Sequence, residues 1–158
     1  MNIDIRLASE KEIEIVHNLM LEAFEEYRSL DVPSSALNEP MEQLINSIKS
    51  GSEQALLSFV EGRPLGSLRF TFKEEGLYFS RLSVAPNARG KGIAKSMLES
   101  LERYAIEKGI KKIECRVRAS IPKNISLYEA MGYVISKEEV VTNPNGLLVN
   151  TVVMEKIL

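Results

Sequence analysis

Apolar and polar residues alternate from Ile3 to Leu7, the period of a strand with one buried face. The period then changes. Ile13, Val16, Met20 and Phe24 recur at helical intervals, and Ser9 precedes Glu12 by three, the spacing of a capping box. Together they predict a first helix over 10–28. The segment Leu30 to Pro40 is rich in proline, serine and asparagine and reads as a loop. It leads to a short helix over 41–50, carried by Met41, Leu44, Ile45 and Ile48 and ended by Gly51. Three strand-like runs follow, over 54–61, 65–72 and 77–84, separated by the turns Glu61-Gly62-Arg63-Pro64 and Lys73-Glu74-Glu75-Gly76. They predict an antiparallel meander.

The helical period returns over 91–108, where Ile93, Met97, Leu101 and Tyr104 mark a buried face and Gly109 an end. Lys112 to Val117 is a strand, and residues 122–131 suit a helix with Pro122 in its first turn. Runs 133–141 and 147–157 predict a closing hairpin around Asn143-Pro144-Asn145-Gly146. The order β-α-α-β-β-β-α-β-α-β-β is that of an α+β, mixed-sheet protein. With no internal repeat or linker, one domain over 1–158 is expected.

Composition narrows the function. The hydrophobic share of 44% supplies a core, while a net charge of −2 argues against general affinity for nucleic acid or an acidic membrane. A single cysteine, Cys115, cannot form an internal disulfide, so an oxidising compartment is not implied. The opening Met1 to Arg6 lacks a basic stretch followed by an apolar one, and no run approaches the roughly 20 apolar residues of a membrane span. A cytoplasmic location is expected. His17 is the only histidine, and without a second ligand candidate it reads as a surface or partly packed residue; no metal is expected. Cys115 alternates with charged neighbours on a strand and reads as core.

The chemistry concentrates where the third meander strand meets the long helix. Leu82-Ser83-Val84-Ala85-Pro86 runs into Arg89-Gly90-Lys91-Gly92-Ile93-Ala94-Lys95. A helix N-terminus offers free backbone N–H groups and a positive dipole end, which suit a phosphate. Gly90 and Gly92 allow close approach, and Arg89, Lys91 and Lys95 add positive charge, so a pyrophosphate is the natural guest. The bland alternative is a turn with glycines for geometry and solvated cations. Two rival phosphate motifs fail: no Gly-x-x-x-x-Gly-Lys-Ser/Thr string occurs, and position 95, where a dinucleotide fingerprint needs glycine, is lysine.

These residues resemble the GNAT superfamily of N-acetyltransferases. Its signature Arg/Gln-x-x-Gly-x-Gly/Ala is matched by Arg89-Gly90-Lys91-Gly92-Ile93-Ala94, and its helix-ending motif by Ile125-Ser126-Leu127-Tyr128-Glu129-Ala130-Met131-Gly132-Tyr133. The resemblance implies a mixed, largely antiparallel seven-stranded sheet splayed between the fourth and fifth strands, with about four helices. It implies acetyl-CoA as cosubstrate. The main chain of Leu82, Ser83 and Val84 would bind the pantetheine arm, and backbone amides from Arg89 to Lys95 the pyrophosphate. Members of the family are often dimers, so a homodimer is a candidate assembly.

The resemblance further implies that Tyr128 protonates the leaving thiolate. A phenol of pKa about 10 against a thiol of about 8.5 makes the neutral phenol a workable acid. The alternative is a packed tyrosine whose hydroxyl meets a backbone group. Where the family often has an asparagine that touches CoA, this chain has Ile121; Asn124, one turn on and on the face of Tyr128, is the candidate substitute. A glutamate base is also missing. Tyr78, Ser80 and Arg116 occupy the corresponding strands, leaving a water relay or Glu26, Glu74 or Glu75. Arg116 and Arg118 share a strand face and are read as solvated, with an anionic substrate group or the border of CoA as alternatives. The expected activity is acetyl transfer from acetyl-CoA directly to a primary amine on a small molecule or peptide. The missing base motivates one alternative, a catalytically inactive CoA-binding sensor or partner-binding module.

Overall fold

The computed structural model describes residues 1–74 and 76–158. Strand β1 (Ile3–Leu7) precedes helices α1 (Ile13–Phe24) and α2 (Met41–Lys49), then strands β2 (Gln54–Val60), β3 (Arg63–Lys73) and β4 (Gly76–Val84). Helix α3 (Ile93–Glu107), β5 (Lys112–Arg118), α4 (Pro122–Ala130), β6 (Val134–Thr142) and β7 (Leu148–Ile157) complete the chain. The first helix is shorter than its apolar period predicts. It is α-helical only over Ile13–Phe24, with 3-10 turns at Glu10–Glu12 and Glu25–Tyr27. At its start, Glu12 folds back to accept from the Ser9 N–H at 2.9 Å and takes both Arg6 donors at 2.7 Å. That closes a tight turn before the α-helix begins.

The seven strands form one sheet in the order β1-β2-β3-β4-β5-β7-β6. Every described pairing is antiparallel except β4 with β5. This is the mixed, largely antiparallel sheet expected from the sequence, flanked by four α-helices. One face carries α3, whose Ile93, Met97, Leu98, Leu101 and Ala105 are buried. Burial of each large apolar side chain contributes roughly 1.5–3 kcal/mol. Gly66 on β3 makes that docking close. A Cβ there would stand 2.9 Å from Ile93 Cγ2 and 2.8 Å from Met97 Cε.

The other face carries α1 and the 30–40 loop, and it is held by buried polar groups. Arg69 on β3 donates to both Glu39 carboxylate oxygens at 2.5 and 2.7 Å. Nε2 of His17 donates to the Glu39 carbonyl at 2.7 Å. His17 is therefore buried and hydrogen-bonded, more deeply packed than a surface reading allows. Among the described residues, no helix is long and apolar enough to cross a membrane.

Candidate active site

Strands β4 and β5 touch at one end and part at the other. Among the described residues, Leu77↔Ile113 and Tyr78↔Glu114 are the pairs between them. Gly76 sets the closed end, since a Cβ there would lie 2.5 Å from the Lys112 carbonyl oxygen. The open end begins at a bulge, where Arg81 and Leu82 together face Leu68 of β3. Arg81 takes a left-handed φ of 55°, and a bulge of this kind bends its strand and sharpens the twist. Ser83 braces the bulge, its Oγ donating to the Arg81 carbonyl at 2.9 Å. The N–H of Ala85 donates to Leu65 O on β3, so by strand alternation the main chain of Ser83 also faces β3 and that of Val84 faces the gap.

Two adjoining cavities fill the gap. The larger, about 400 Å³, is lined by Tyr78, Ser80 and Arg81 of β4, Cys115 and Arg116 of β5, and Tyr128 of α4. The smaller, about 240 Å³, runs past Val84, Arg89, Ala94 and Leu127. Phe24, Tyr27, Leu82 and Asn124 line both and so join them. Asn124 donates to the Tyr27 hydroxyl at 3.4 Å.

Tyr128 stands on α4 with its ring 5.5 Å from Phe79 and 6.0 Å from Tyr133, edge-on or tilted. Such ring pairs each add about 0.5–1.5 kcal/mol. Gly132, at φ 94°, ends the helix, and Tyr133 N–H then donates to Tyr128 O at 3.0 Å. Burial raises the Tyr128 phenol well above the ordinary range, so it is protonated at any working pH. The neighbouring Cys115 thiol is pushed up to about 12 by burial, followed by the Glu114 charge, which keeps it neutral and a poor nucleophile.

Gly92, at φ 79° and ψ 14°, caps the start of helix α3. Its first intrahelical bond is Ser96 N–H to Gly92 O, leaving the amides of Ile93, Ala94 and Lys95 without intrahelical acceptors. Gly90 shares the φ of 79°, and nothing in the chain comes within 4 Å of a Cβ built on either glycine. The left-handed backbone, more than crowding, demands glycine here. Ile93 buries its side chain in the core, so only its amide faces outward. Lys91 and Lys95 are exposed. Arg89 is not free: Nη1 donates to Glu26 at 2.6 Å and Nη2 to the Ala23 carbonyl at 2.9 Å.

A sequence model of the acetyltransferase (GNAT) family matches residues 15–133, about three-quarters of the chain, from within α1 to just past α4. The chain belongs to the GNAT family of acetyltransferases. It is 26% identical over 132 residues to the catalytic subunit of the N-terminal acetyltransferase B complex of Schizosaccharomyces pombe, covering 82% of this chain and 71% of that one. Among solved structures it resembles an N-acetyltransferase from Staphylococcus aureus, with a TM-score of 0.79, 19% identity and 99% of each chain covered. It also resembles the PaiA N-acetyltransferase of Thermoplasma acidophilum in complex with coenzyme A, with a TM-score of 0.78, 19% identity and all of both chains covered.

Within this GNAT fold the candidate bases are distributed unevenly. Glu26 lies at the smaller cavity, held by Arg89 and by Lys123 Nζ at 2.8 Å. Burial raises its pKa, but the bonds from Lys123 and Arg89 outweigh that and hold it below the ordinary range, so it is a weak base. Glu74 is exposed at the far end of β4, beside Gly76 and away from the larger cavity. Glu75 lies outside the described residues. Among the described residues, no Asp or Glu lines the larger cavity, and no group of three or more His, Cys, Asp or Glu is placed to hold a metal.

Arg116 and Arg118 are not simply solvated. Arg116 pairs with Glu139 at 2.7 Å and donates to Thr151 Oγ1 at 3.0 Å. Arg118 donates to the carbonyls of Val32 and Pro33 and so ties the 30–40 loop over the cavity, where Ser34 and Ser35 form part of its wall. Sequence reasoning missed Gly66, Gly76 and Arg69. None sits in a motif, and each matters through a partner distant in the chain.

Proposed function

We propose that the chain, acting as a single domain, transfers an acetyl group from acetyl-CoA directly to a primary amine. The observation that carries this reading is the parting of β4 from β5 after two paired residues, over a cavity lined by Tyr128. The coenzyme A bound to the Thermoplasma structure supports the choice of cosubstrate. In this reading the main chain of Leu82 and Val84 meets the pantetheine arm as another strand would, with Ser83 holding the bulge beneath it. The amides from Arg89 through Gly90, Lys91, Gly92, Ile93 and Ala94 to Lys95 hold the pyrophosphate, aided by the two exposed lysines. Asn124, at the junction of the cavities, faces the arm.

The neutral amine attacks the thioester carbonyl, and the C–S bond breaks as the new C–N bond forms. The thiolate sulfur takes the Tyr128 phenolic proton, and the amine's surplus proton passes through water, which restores the proton to Tyr128. The burial that raises Tyr128 also disfavours a thiolate in the same cavity, so donor and acceptor stay matched. Cys115 takes no covalent part. A buried, unpaired Cys115 fits a reducing, cytoplasmic setting.

A thiol-release assay across a panel of amines tests the reading, beside calorimetry with acetyl-CoA. Calorimetric binding, with free CoA released only when an amine is present, is the expected result. Absence of acetyl-CoA binding removes the reading altogether.

A further inference from the structure

The larger cavity has an unbalanced charge. Three arginines line it, Arg81 from β4 and Arg116 and Arg118 from β5, while no carboxylate among the described residues does. Two of the three are committed. Arg118 spends its donors on the carbonyls of Val32 and Pro33, and Arg116 pairs with Glu139 and Thr151. Arg81 differs. It is half-buried, and among the described residues its guanidinium has no hydrogen bond or ion pair. The carboxylates that act on it electrostatically, Glu39 and Glu53, are both engaged by Arg69. A left-handed non-glycine residue at a bulge is costly to maintain, and here it sets an arginine at the cavity wall.

From this lining we infer that the acceptor is an amine that also carries a carboxylate, with Arg81 as the residue that recognises the carboxylate; the inference rests on the acetyl-transfer reading above. A guanidinium fork matches a carboxylate in two parallel bonds. A polyamine meets no carboxylate among the described lining residues and faces the Arg81 cation instead. The charge also answers the missing base. A positive surrounding favours the uncharged form of an amine, so the cavity that attracts the carboxylate also helps the amine arrive deprotonated. A free amino acid and the N-terminus of an acidic peptide both present this pair of groups.

The test compares chemical twins in the thiol-release assay with the full chain. Aspartate and glutamate are run against their C-terminal and side-chain amides, peptides beginning with an acidic residue against their Asn or Gln counterparts, and spermidine as the polycation. The expected result is a kcat/KM for the carboxylate form roughly 10- to 100-fold above its amide, lost mainly through KM in Arg81→Gln and partly restored in Arg81→Lys. The arm in which the preference appears tells the free amino acid from the peptide. Calorimetry with acetyl-CoA shows that each variant is folded. Preference for the amides or spermidine, or a preference unchanged in folded Arg81→Gln, overturns the inference and leaves acetyl transfer standing. Failure of the wild-type chain to bind acetyl-CoA overturns the transfer itself.

Discussion

Arg89 of the glycine turn and Glu26, just beyond α1, are joined at 2.6 Å, although 63 positions separate them in the chain. Glu26 also takes Lys123 at the start of α4, so one carboxylate ties the turn to both helices around the smaller cavity. A carboxylate so placed offsets two cations beside the proposed pyrophosphate site. Glu26→Gln is expected to tighten acetyl-CoA binding by about 2- to 5-fold, the size of a partly exposed ion pair. The gain should shrink as salt rises. Calorimetry at two ionic strengths checks this; weaker binding would show that Glu26 acts by positioning Arg89.

Tyr128→Phe keeps the ring among Phe79 and Tyr133 and removes only the proton. A fall in kcat of roughly 10- to 1,000-fold is expected, with acetyl-CoA affinity little changed. Because burial raises the phenol pKa, the acid stays protonated as pH rises. The rate should therefore climb with pH as the amine loses its proton, with no alkaline fall from Tyr128 below about pH 10. An unchanged rate in the variant would remove Tyr128 from the reaction.

Acid should loosen the start of α1. The Arg6 bond, then the Ser9 backbone N–H, holds Glu12 at a pKa of about 2, down from 4.5. A depressed carboxylate contributes stability above its ordinary pKa and loses it as pH falls from about 4.5 toward 2. Glu12→Gln should cost on the order of 1 kcal/mol at neutral pH and less at pH 2. Urea unfolding of both proteins at several pH values shows whether the difference closes.

Gly66→Val should push against Ile93 and Met97, the first turns of α3. A cost of about 1–3 kcal/mol is typical of such overpacking. Because Ile93 follows Gly92 directly, displacement there should also weaken acetyl-CoA binding. Loss of stability with unchanged affinity would mean that the helix absorbs the strain without moving the turn.

Much of this protein is legible in its sequence. Period-two and helical runs mark the strands and helices because a residue's side of an element depends only on its near neighbours. The glycines at 90 and 92 are readable for the same reason: a left-handed backbone at a helix start is a local demand, met locally. Tyr128 and the turn are likewise found through short motifs that resemble those of the GNAT family. The Ser9–Glu12 box was legible, but the 3-10 turn at the start of the first helix was not, because Arg6 on the preceding strand also holds Glu12.

The site itself depends on pairings that no local pattern reveals. The parallel contact of β4 with β5 joins segments separated by a whole helix, and its length, two residues, follows from Gly76 meeting Lys112 at one end and the Arg81 bulge bending the strand at the other. Arg69 and Glu39, and Arg118 and the Val32 carbonyl, are likewise distant in the chain. The charge of the cavity is a sum over side chains from β4 and β5, and only folding decides which arginines share it and which carboxylates are already spent elsewhere. Local chemistry thus determines the elements and the glycine turn, while tertiary structure decides the gap, its roof and the charges that line it, because these arise between segments that meet only once the sheet is assembled.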